Sequence, residues 1–545
     1  MIMISITYFL INYLLIFSHL YSYVFTVDDI VINQKHEEVA TSKREAYAAL
    51  FYGEDEGFLL GLRVLGQSLR QRGSTREMVA LCLPDVSNEV RFLLAREGWT
   101  IYPVNPDDIN YEGPYKGHVA KLLVLTLTQY KKIVLIDTDV IGYEGADDIF
   151  NCGSYCATMR HSNIFNSGVM VLTPSQTHFH NIIKMLETWD PLDHSHKGGD
   201  QDILNVYFSP ITLALSYNKT DPNYKPPTYA QLPFEYNMDA GMYYLRSSWL
   251  IPRKDFRFLH YTFGPIRPWQ WLSYPLFDLN HEWQDIRFQL RDPTKEMFTS
   301  FFRYLPFYAV LFLFVIRVTT FQSFHRHLAS TVHSLLSLSS SEPLRCSSGT
   351  IMCVCKNVFS MTVYVFPIYF RFCKMLTFIS VLMCVPISIY MVPMHVRPLV
   401  GWLMFTFSFT VLIAHIFEFT FWFCHYGCYG SMHGGATREC PPVSNSGGRR
   451  HTLRQSNHRQ YLHSAHLKFV LITFFYVLLG LAIVINVGSF ASRVKTAVLI
   501  GLFYLGFLYY SIDSLVGLYT HYTLPSNNSH HVSKRSEDSS PILEP

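Results

Sequence analysis

The sequence predicts an α/β domain with a mostly parallel sheet, followed by an α-helical region that crosses a membrane several times. Three observations carry this. Between Glu45 and about Asp292, short apolar runs bounded by turn residues alternate with amphipathic helical stretches, as successive β-α units do. After residue 300 the apolar runs lengthen to about 20 residues, enough to span a bilayer. Charge divides at the same place. Residues 1–300 hold 26 Lys/Arg and 34 Asp/Glu, a balance of −8; residues 301–545 hold 18 and 7, a balance of +11. Charged residues make up 16% of the 545, against ~25% in soluble domains, and aromatics another 16%. This composition excludes a disordered, collagen-like or coiled-coil chain. A basic half rich in Phe, Leu and Val points to a membrane and not to nucleic acid.

The elements follow in order. Residues 1–25 are almost entirely apolar, and the run 4–17 has the length of a signal-peptide core; an uncleaved anchor helix is the alternative. Either one directs the chain to the secretory pathway. Strands are expected at 46–52, 78–83, 132–136 and 169–172, and helices at 58–72, 89–97, 118–129 and 178–188. In such a sheet the ligand binds at the carboxyl ends of the strands. The soluble domain is placed at 45–292 and the membrane domain at 301–521. Five spans are expected at 304–321, 375–393, 399–424, 467–487 and 497–519, with a short interfacial piece at 358–370 and a tail at 522–545. With the soluble domain lumenal, the cytosolic loops and tail hold 12 basic residues, including Arg438, Arg449, Arg450, Arg454 and Arg459. The lumenal loops hold Arg397, Arg493 and Lys495, so positive charge lies inside and the tail is cytosolic. Cys152 and Cys156 can pair if their half is lumenal.

Four stretches carry chemistry. Strand 132–136 delivers Asp137 and Asp139, two residues apart, at its carboxyl end. Such a pair can hold a hard divalent cation, and through it a diphosphate; it can also be a turn with helix-capping aspartates. In Lys197–Gly198–Gly199–Asp200–Gln201–Asp202, the Asp200 carboxylate can cap a helix or bond sugar hydroxyls. In the stretch from Leu259 to Trp269, His260 can complete a metal site, Gly264 permits close backbone approach and Arg267 can grip phosphate. Phe165–Asn166–Ser167–Gly168 offers an amide, a hydroxyl and a flexible glycine to a polar ligand. Each stretch by itself also has an ordinary structural explanation.

Their order and spacing resemble glycosyltransferase family 8, the glycogenin-like retaining transferases. The matching pieces are Leu65–Gly66–Gln67–Ser68–Leu69, Lys121–Leu122, Asp137–Thr138–Asp139, Phe165–Asn166–Ser167–Gly168–Val169, Gly199–Asp200–Gln201 with Asn205, Leu232–Pro233–Phe234–Glu235–Tyr236–Asn237, and His260 through Trp269. Ala46–Tyr47–Ala48–Ala49, Tyr236–Asn237–Met238–Asp239–Ala240–Gly241 and Pro398–Leu399–Val400–Gly401–Trp402 look like the plant branch that includes the inositol phosphorylceramide glucuronosyltransferases. Those enzymes also carry C-terminal spans.

The resemblance implies a GT-A-type, Rossmann-like domain and a Mn²⁺-dependent enzyme of the Golgi lumen with a UDP-sugar donor. Asp137, Asp139 and His260 would bind the metal. Lys121 and Arg267 would meet the diphosphate or sugar; Arg267 stands where the family usually has Lys. Asn166, Ser167, Asp200 and Gln201 would line the donor sugar. Phe58 would stack on uracil, and Gly264 would admit the diphosphate. Asp200 and Arg267 are the catalytic assignments, with electrostatics and positioning favoured over a covalent intermediate. The acceptor is a lipid or another membrane-associated molecule, with inositol phosphorylceramide and glucuronic acid suggested by the plant branch. Two rivals stand beside this reading: a transporter or scaffold carrying an inactive transferase domain, and a self-glucosylating primer. The acidic stretch 53–57 is unexpected beside a nucleotide. Trp269, Trp271 and Trp283 are expected as a rim facing the membrane interface, and Glu418 and Asp513 as ionisable groups in or at the ends of spans.

Overall fold

The structure, a computed structural model, describes residues 44–109, 111, 116–160, 163–189, 199–264, 266–290, 371–433, 469 and 471–523. The N-terminal segment 1–25, the span at 304–321, the piece at 358–370, Lys197 and the Arg-rich loop 438–459 lie outside the described residues. Among the described residues a seven-stranded sheet runs in the order β3-β2-β1-β4-β7-β6-β8. Its strands are β1 (Glu45–Phe51), β2 (Glu77–Cys82), β3 (Trp99–Pro103), β4 (Lys132–Ile136), β6 (Tyr155–Met159), β7 (Phe165–Leu172) and β8 (Tyr229–Leu232). Neighbours are parallel except on the two sides of β7, which runs antiparallel to β4 and β6. A second sheet of three short strands joins β5 (Val140–Gly142), β10 (Phe258–His260) and β9 (Met238–Asp239).

The period of two along each strand sorts side chains into separate cores. Ala46, Ala48 and Leu50 of β1 join Ile133 and Leu135 of β4 on one face. Tyr47, Ala49 and Phe51 join Val134 and Ile136 on the other. The Gln176–Leu186 helix covers the first face with Phe179, Ile182 and Leu186. The Glu56–Gln71 helix covers the second with Leu62, Leu65 and Leu69. The latter helix buries a further stripe, Leu60 and Val64, against the small sheet and the Leu279–Phe288 helix. Both stripes disappear because it is wedged between the two sheets.

Three differences from the sequence expectations have physical reasons. The helix expected at 118–129 is one α-helical turn, Lys116–Val119, running into a 3-10 segment, Ala120–Thr126. Residues 120–125 are all buried, so no polar stripe fixes an α-helical face and tertiary packing sets the winding. Strands β3, β6 and β8 are additional to the expected ones: WTIYP, YCATM and YAQL mix polar and small residues and hold no continuous apolar run like that of β4. Trp269, Trp271 and Trp283 form no interfacial rim: they are 3%, 0% and 0% exposed. Trp269 and Trp283 fill the core under the small sheet, and Trp271 packs among the membrane helices.

Among the described residues three helices are long and apolar enough to cross a membrane, by length and composition: Arg371–Tyr390, Pro398–Phe417 and Phe490–Ser514. A shorter apolar helix is Leu471–Asn486. Asp513 is ion-paired to Lys374. The α/β domain is joined to the turn at 391–397 and to the first residues of the helices that begin at Pro398 and Phe490. The Trp271 amide donates to Met394 O at 3.2 Å, and Trp402 Nε1 to Trp271 O at 3.1 Å. Arg287 donates to His395 O at 2.8 Å, and Arg493 to Pro275 O at 3.2 Å. A Cβ on Gly401 would lie 2.4 Å from the Trp271 ring, so only glycine admits that indole.

Candidate active site

Asp137–Thr138–Asp139 is the joint between the two sheets: β4 ends at Ile136 and β5 begins at Val140. Backbone hydrogen bonds pin it on both sides. The Asp137 amide donates to Gly168 O of β7, and the Tyr261 amide to Asp139 O, each at 2.9 Å. His260 ends β10, opposite Val140 on one side and Asp239 on the other. Asp137, Asp139 and His260 therefore converge, each offering a ligand atom within 4.8 Å of the others. His260 Nε2 lies 3.2 Å from Asp139 Oδ1 and 4.0 Å from Asp137 Oδ2. Asp139 and His260 are buried, and Asp137 is the partly open member.

A chain of amides sets the imidazole. His260 Nδ1 is 3.1 Å from Asn237 Oδ1, so the Nδ1–H donates there and Nε2 faces the carboxylates. Asn237 Nδ2 donates in turn to Asn166 Oδ1 at 2.9 Å, and Asn166 Nδ2 to Gln201 Oε1 at 3.4 Å. Gly168 is required beside it, since a Cβ there would lie 2.1 Å from His260 Cε1.

Lys121 bridges the two acidic parts of the site. Its Nζ is 2.6 Å from Asp137 Oδ1 and 2.8 Å from Asp200 Oδ2. Arg267 donates to Asp139 Oδ2, and to Tyr261 O at 3.0 Å. Burial alone would lower the Lys121 pKa, but Asp137 and Asp200 outweigh it and raise it. Burial raises the Asp139 carboxyl; His260, Arg267 and Lys121 outweigh it and bring the value down to about 2. Burial likewise raises Asp200, and Lys121 above all overrides it, so Asp200 is held below its ordinary value. Burial lowers His260, and Asp139 with Asp137 more than reverses this. Three carboxylates thus face two permanent cations, Lys121 and Arg267.

The other expected residues gather here as well. Ser167 Oγ donates to Asp200 Oδ2 at 3.2 Å, and Gln201 Oε1 accepts from the Ser167 amide at 3.5 Å. Asp200 does not cap its helix. The cap is Gly199, and Asp200 is the first helical residue, its carboxylate turned to Lys121. Phe58 is 38% exposed with its ring 5.4 Å from Trp269. Gly264 has φ +41° and no atom within 4 Å of where a Cβ would stand, so its backbone is open to a ligand. The acidic stretch 53–57 has a structural cause: Asp55 caps the Glu56–Gln71 helix, accepting from Gly57 and Phe58 amides. Two positioning residues stood in the quoted motifs without a role. Asn237 holds His260. Asn205 clasps the Phe165 backbone, accepting from its amide at 2.8 Å and donating to its carbonyl at 2.9 Å.

Residues 156–272 match the family model "Glycosyl transferase family 8". The chain is 34% identical over 293 residues to inositol phosphorylceramide glucuronosyltransferase 1 of Arabidopsis thaliana, covering 50% of this chain and 53% of that protein. It is 31% identical over 179 residues to UDP-glucuronate:xylan alpha-glucuronosyltransferase 1 of Arabidopsis thaliana, covering 32% and 26%. It is 31% identical over 227 residues to human glycogenin-2, covering 39% and 42%. The chain spans about half the length, or less, of these relatives. Among solved structures, the glycosyltransferase GlyE of Streptococcus pneumoniae TIGR4 aligns with 18% identity and a TM-score of 0.33, covering 45% of this chain and 60% of that one. The family match takes in His260 and the amide chain Asn166, Gln201 and Asn237, while Asp137 and Asp139 stand just before it. The chain carries a glycosyltransferase family 8 domain.

Proposed function

We propose that this chain is a retaining, Mn²⁺-dependent glycosyltransferase that moves a sugar from a UDP-sugar to a membrane-associated acceptor. The observation that carries the reading is the convergence of Asp137, Asp139 and His260 at the joint of the two sheets. These three would hold the Mn²⁺, whose charge would offset the negative charge growing on the departing diphosphate. Lys121 and Arg267 add fixed positive charge on either side of the same carboxylates. Asn166, Ser167, Asp200 and Gln201 form one hydrogen-bonded set that would orient the donor sugar. Asp200, kept ionised by Lys121, is the carboxylate best placed to stabilise positive charge developing on that sugar. Glucuronic acid as the sugar and inositol phosphorylceramide as the acceptor are suggested by the 34% identical Arabidopsis relative.

This reading puts the domain in the lumen of the secretory pathway, in the Golgi. A Cys152–Cys156 disulfide supports this, because such bonds persist in oxidising compartments. So does the packing of the domain on the turn that holds Arg397 and on Arg493 at the start of the Phe490–Ser514 helix, both expected on the lumenal side.

The purified chain should release UDP from a UDP-sugar with Mn²⁺ and stop on addition of EDTA. Asp137→Ala should reduce turnover roughly 10³-fold or more while leaving the chain folded in the membrane. Wild-type turnover by that variant, or turnover unaffected by EDTA, would overturn the metal assignment. The sequon Asn218–Lys219–Thr220 is exposed and should carry a glycan removable by endoglycosidase. An unglycosylated Asn218 in cells that glycosylate other secretory sequons would argue for a cytosolic domain.

A further inference from the structure

Arg267 leaves the backbone at a tight turn. The Gln270 amide closes this turn, donating to Arg267 O at 3.1 Å, and the Arg267 amide donates to Gln270 Oε1 at 3.2 Å. A long side chain delivers its guanidinium only as accurately as its own backbone is held. The Leu279–Phe288 helix holds this turn from one side, and it lies beyond the residues 156–272 that match the family model. Two of its side chains do so, both polar and almost fully buried: Gln284 is 1% and Asn280 3% exposed.

Gln284 Nε2 donates to the carbonyl of Pro268, the residue after Arg267, at 2.8 Å. Asn280 acts through Ser273. Its Nδ2 donates to Ser273 Oγ at 2.7 Å, so the hydroxyl proton turns away from the amide. That proton is shared between Gln270 O at 2.8 Å and Arg267 O at 3.1 Å. All of these bonds end on the turn. Packing does not call for them: Trp283 already fills the core beside Trp269, their rings 6.0 Å apart, and an apolar side chain at 284 would fill the same space. Among the described residues Gln284 Oε1 accepts no hydrogen bond, so what this buried amide contributes is its N–H.

We infer that Gln284 and Asn280 are positioning residues for Arg267: they fix the turn from which its guanidinium reaches Asp139 and the departing diphosphate. They act through the main chain of residues 267–273. The same helix is tied to the membrane region, with Arg287 donating to His395 O at 2.8 Å and Arg493 donating to His281 Nε2 at 3.0 Å. The direction of Arg267 is therefore set from the membrane side of the domain as well as from its core. This rests on the reading of Arg267 as a diphosphate ligand and adds the part of the chain that aims it.

A double-mutant cycle on UDP binding tests this apart from turnover. The full chain in detergent with Mn²⁺ is titrated with UDP by calorimetry. Gln284→Met keeps an unbranched side chain of similar volume and removes its amide. Asn280→Asp keeps the shape but only accepts, and so draws the Ser273 proton away from Arg267 O. Ser273→Ala removes the hydroxyl alone and carries the cycle if either of the others fails to fold. Arg267→Ala should itself weaken UDP about 10-fold or more. Each positioning variant should weaken UDP about 10-fold when Arg267 is present, and less than about 2-fold when residue 267 is already alanine. Near-wild-type affinity in the single variants, or the same loss with and without Arg267, overturns the assignment and leaves the donor reading standing. Unchanged UDP affinity in Arg267→Ala overturns the diphosphate role of Arg267 and the positioning residues with it.

Discussion

In the α/β domain, alternate residues of β1 and β4 disappear into cores on the two faces of the sheet. In the helices beyond residue 370 apolar side chains lie on both sides: Val381, Phe405, Phe409 and Ile413 are buried among the helices, and others of the same kind face outward. Met383 is 54% and Phe503 75% exposed, while Thr377, Ser388, Thr406, Ser408 and Thr410 are buried. Thr377 and Thr420 share a hydrogen bond at 2.7 Å between buried hydroxyls. The first pattern answers to water, which expels apolar surface. The second is the pattern expected of helices in lipid, where a leucine gains nothing by going inside and small hydroxyl residues let helices approach and bond. The same composition statistics mean opposite things on the two sides of residue 300.

Substitutions can break this contrast or sharpen it. The largest effect after loss of a metal ligand is expected from Gly168→Ala, whose methyl group would collide with the His260 ring. Turnover should fall by about 10²-fold as the imidazole is displaced, and overpacking of the buried ring should cost about 1–3 kcal/mol of stability as well. A turnover near wild type would show that the ring position is not critical. Next comes Gly401→Val, in the membrane region, which would push on the Trp271 indole. Overpacking there should cost about 1–3 kcal/mol and lower the thermal midpoint. Donor turnover should also drop, roughly 10-fold, because Trp271 lies four residues from Arg267, which touches Asp139. If turnover holds while the midpoint falls, the two regions are neighbours and nothing more. The smallest effect is expected from Thr377→Val, which removes one hydroxyl pair between helices. A loss of roughly 1 kcal/mol in thermal stability with unaltered turnover would mark that bond as structural. A change in turnover would link it to the site.

Much of the site was legible because its chemistry is carried by few residue types at fixed spacings. Asp137 and Asp139 sit where a buried apolar run stops, and Gly199–Asp200–Gln201 precedes a helix. Other parts were not legible because they depend on what stands opposite. The need for Gly168 comes from His260, 92 residues further along the chain, and that for Gly401 from Trp271. The three tryptophans looked interfacial from their place before the first span; the structure uses them as filling. The antiparallel β7 was hidden as well, since a strand buried on both faces reads alike in either direction.

The clasp around Trp271 has a practical consequence. Arg267, Trp269 and Trp271 lie within five residues that run from the Asp-Asp-His cluster to the turn before the Pro398–Phe417 helix. A chain ended after residue 290 to give a water-soluble enzyme would uncover the Trp271 indole, lose the carbonyl partner of Arg287 and leave the Arg267 segment anchored at one end only. Such a protein will aggregate or turn over slowly even with every metal ligand present. A soluble version needs a polar replacement at Trp271 and a new partner for Arg287, designed together.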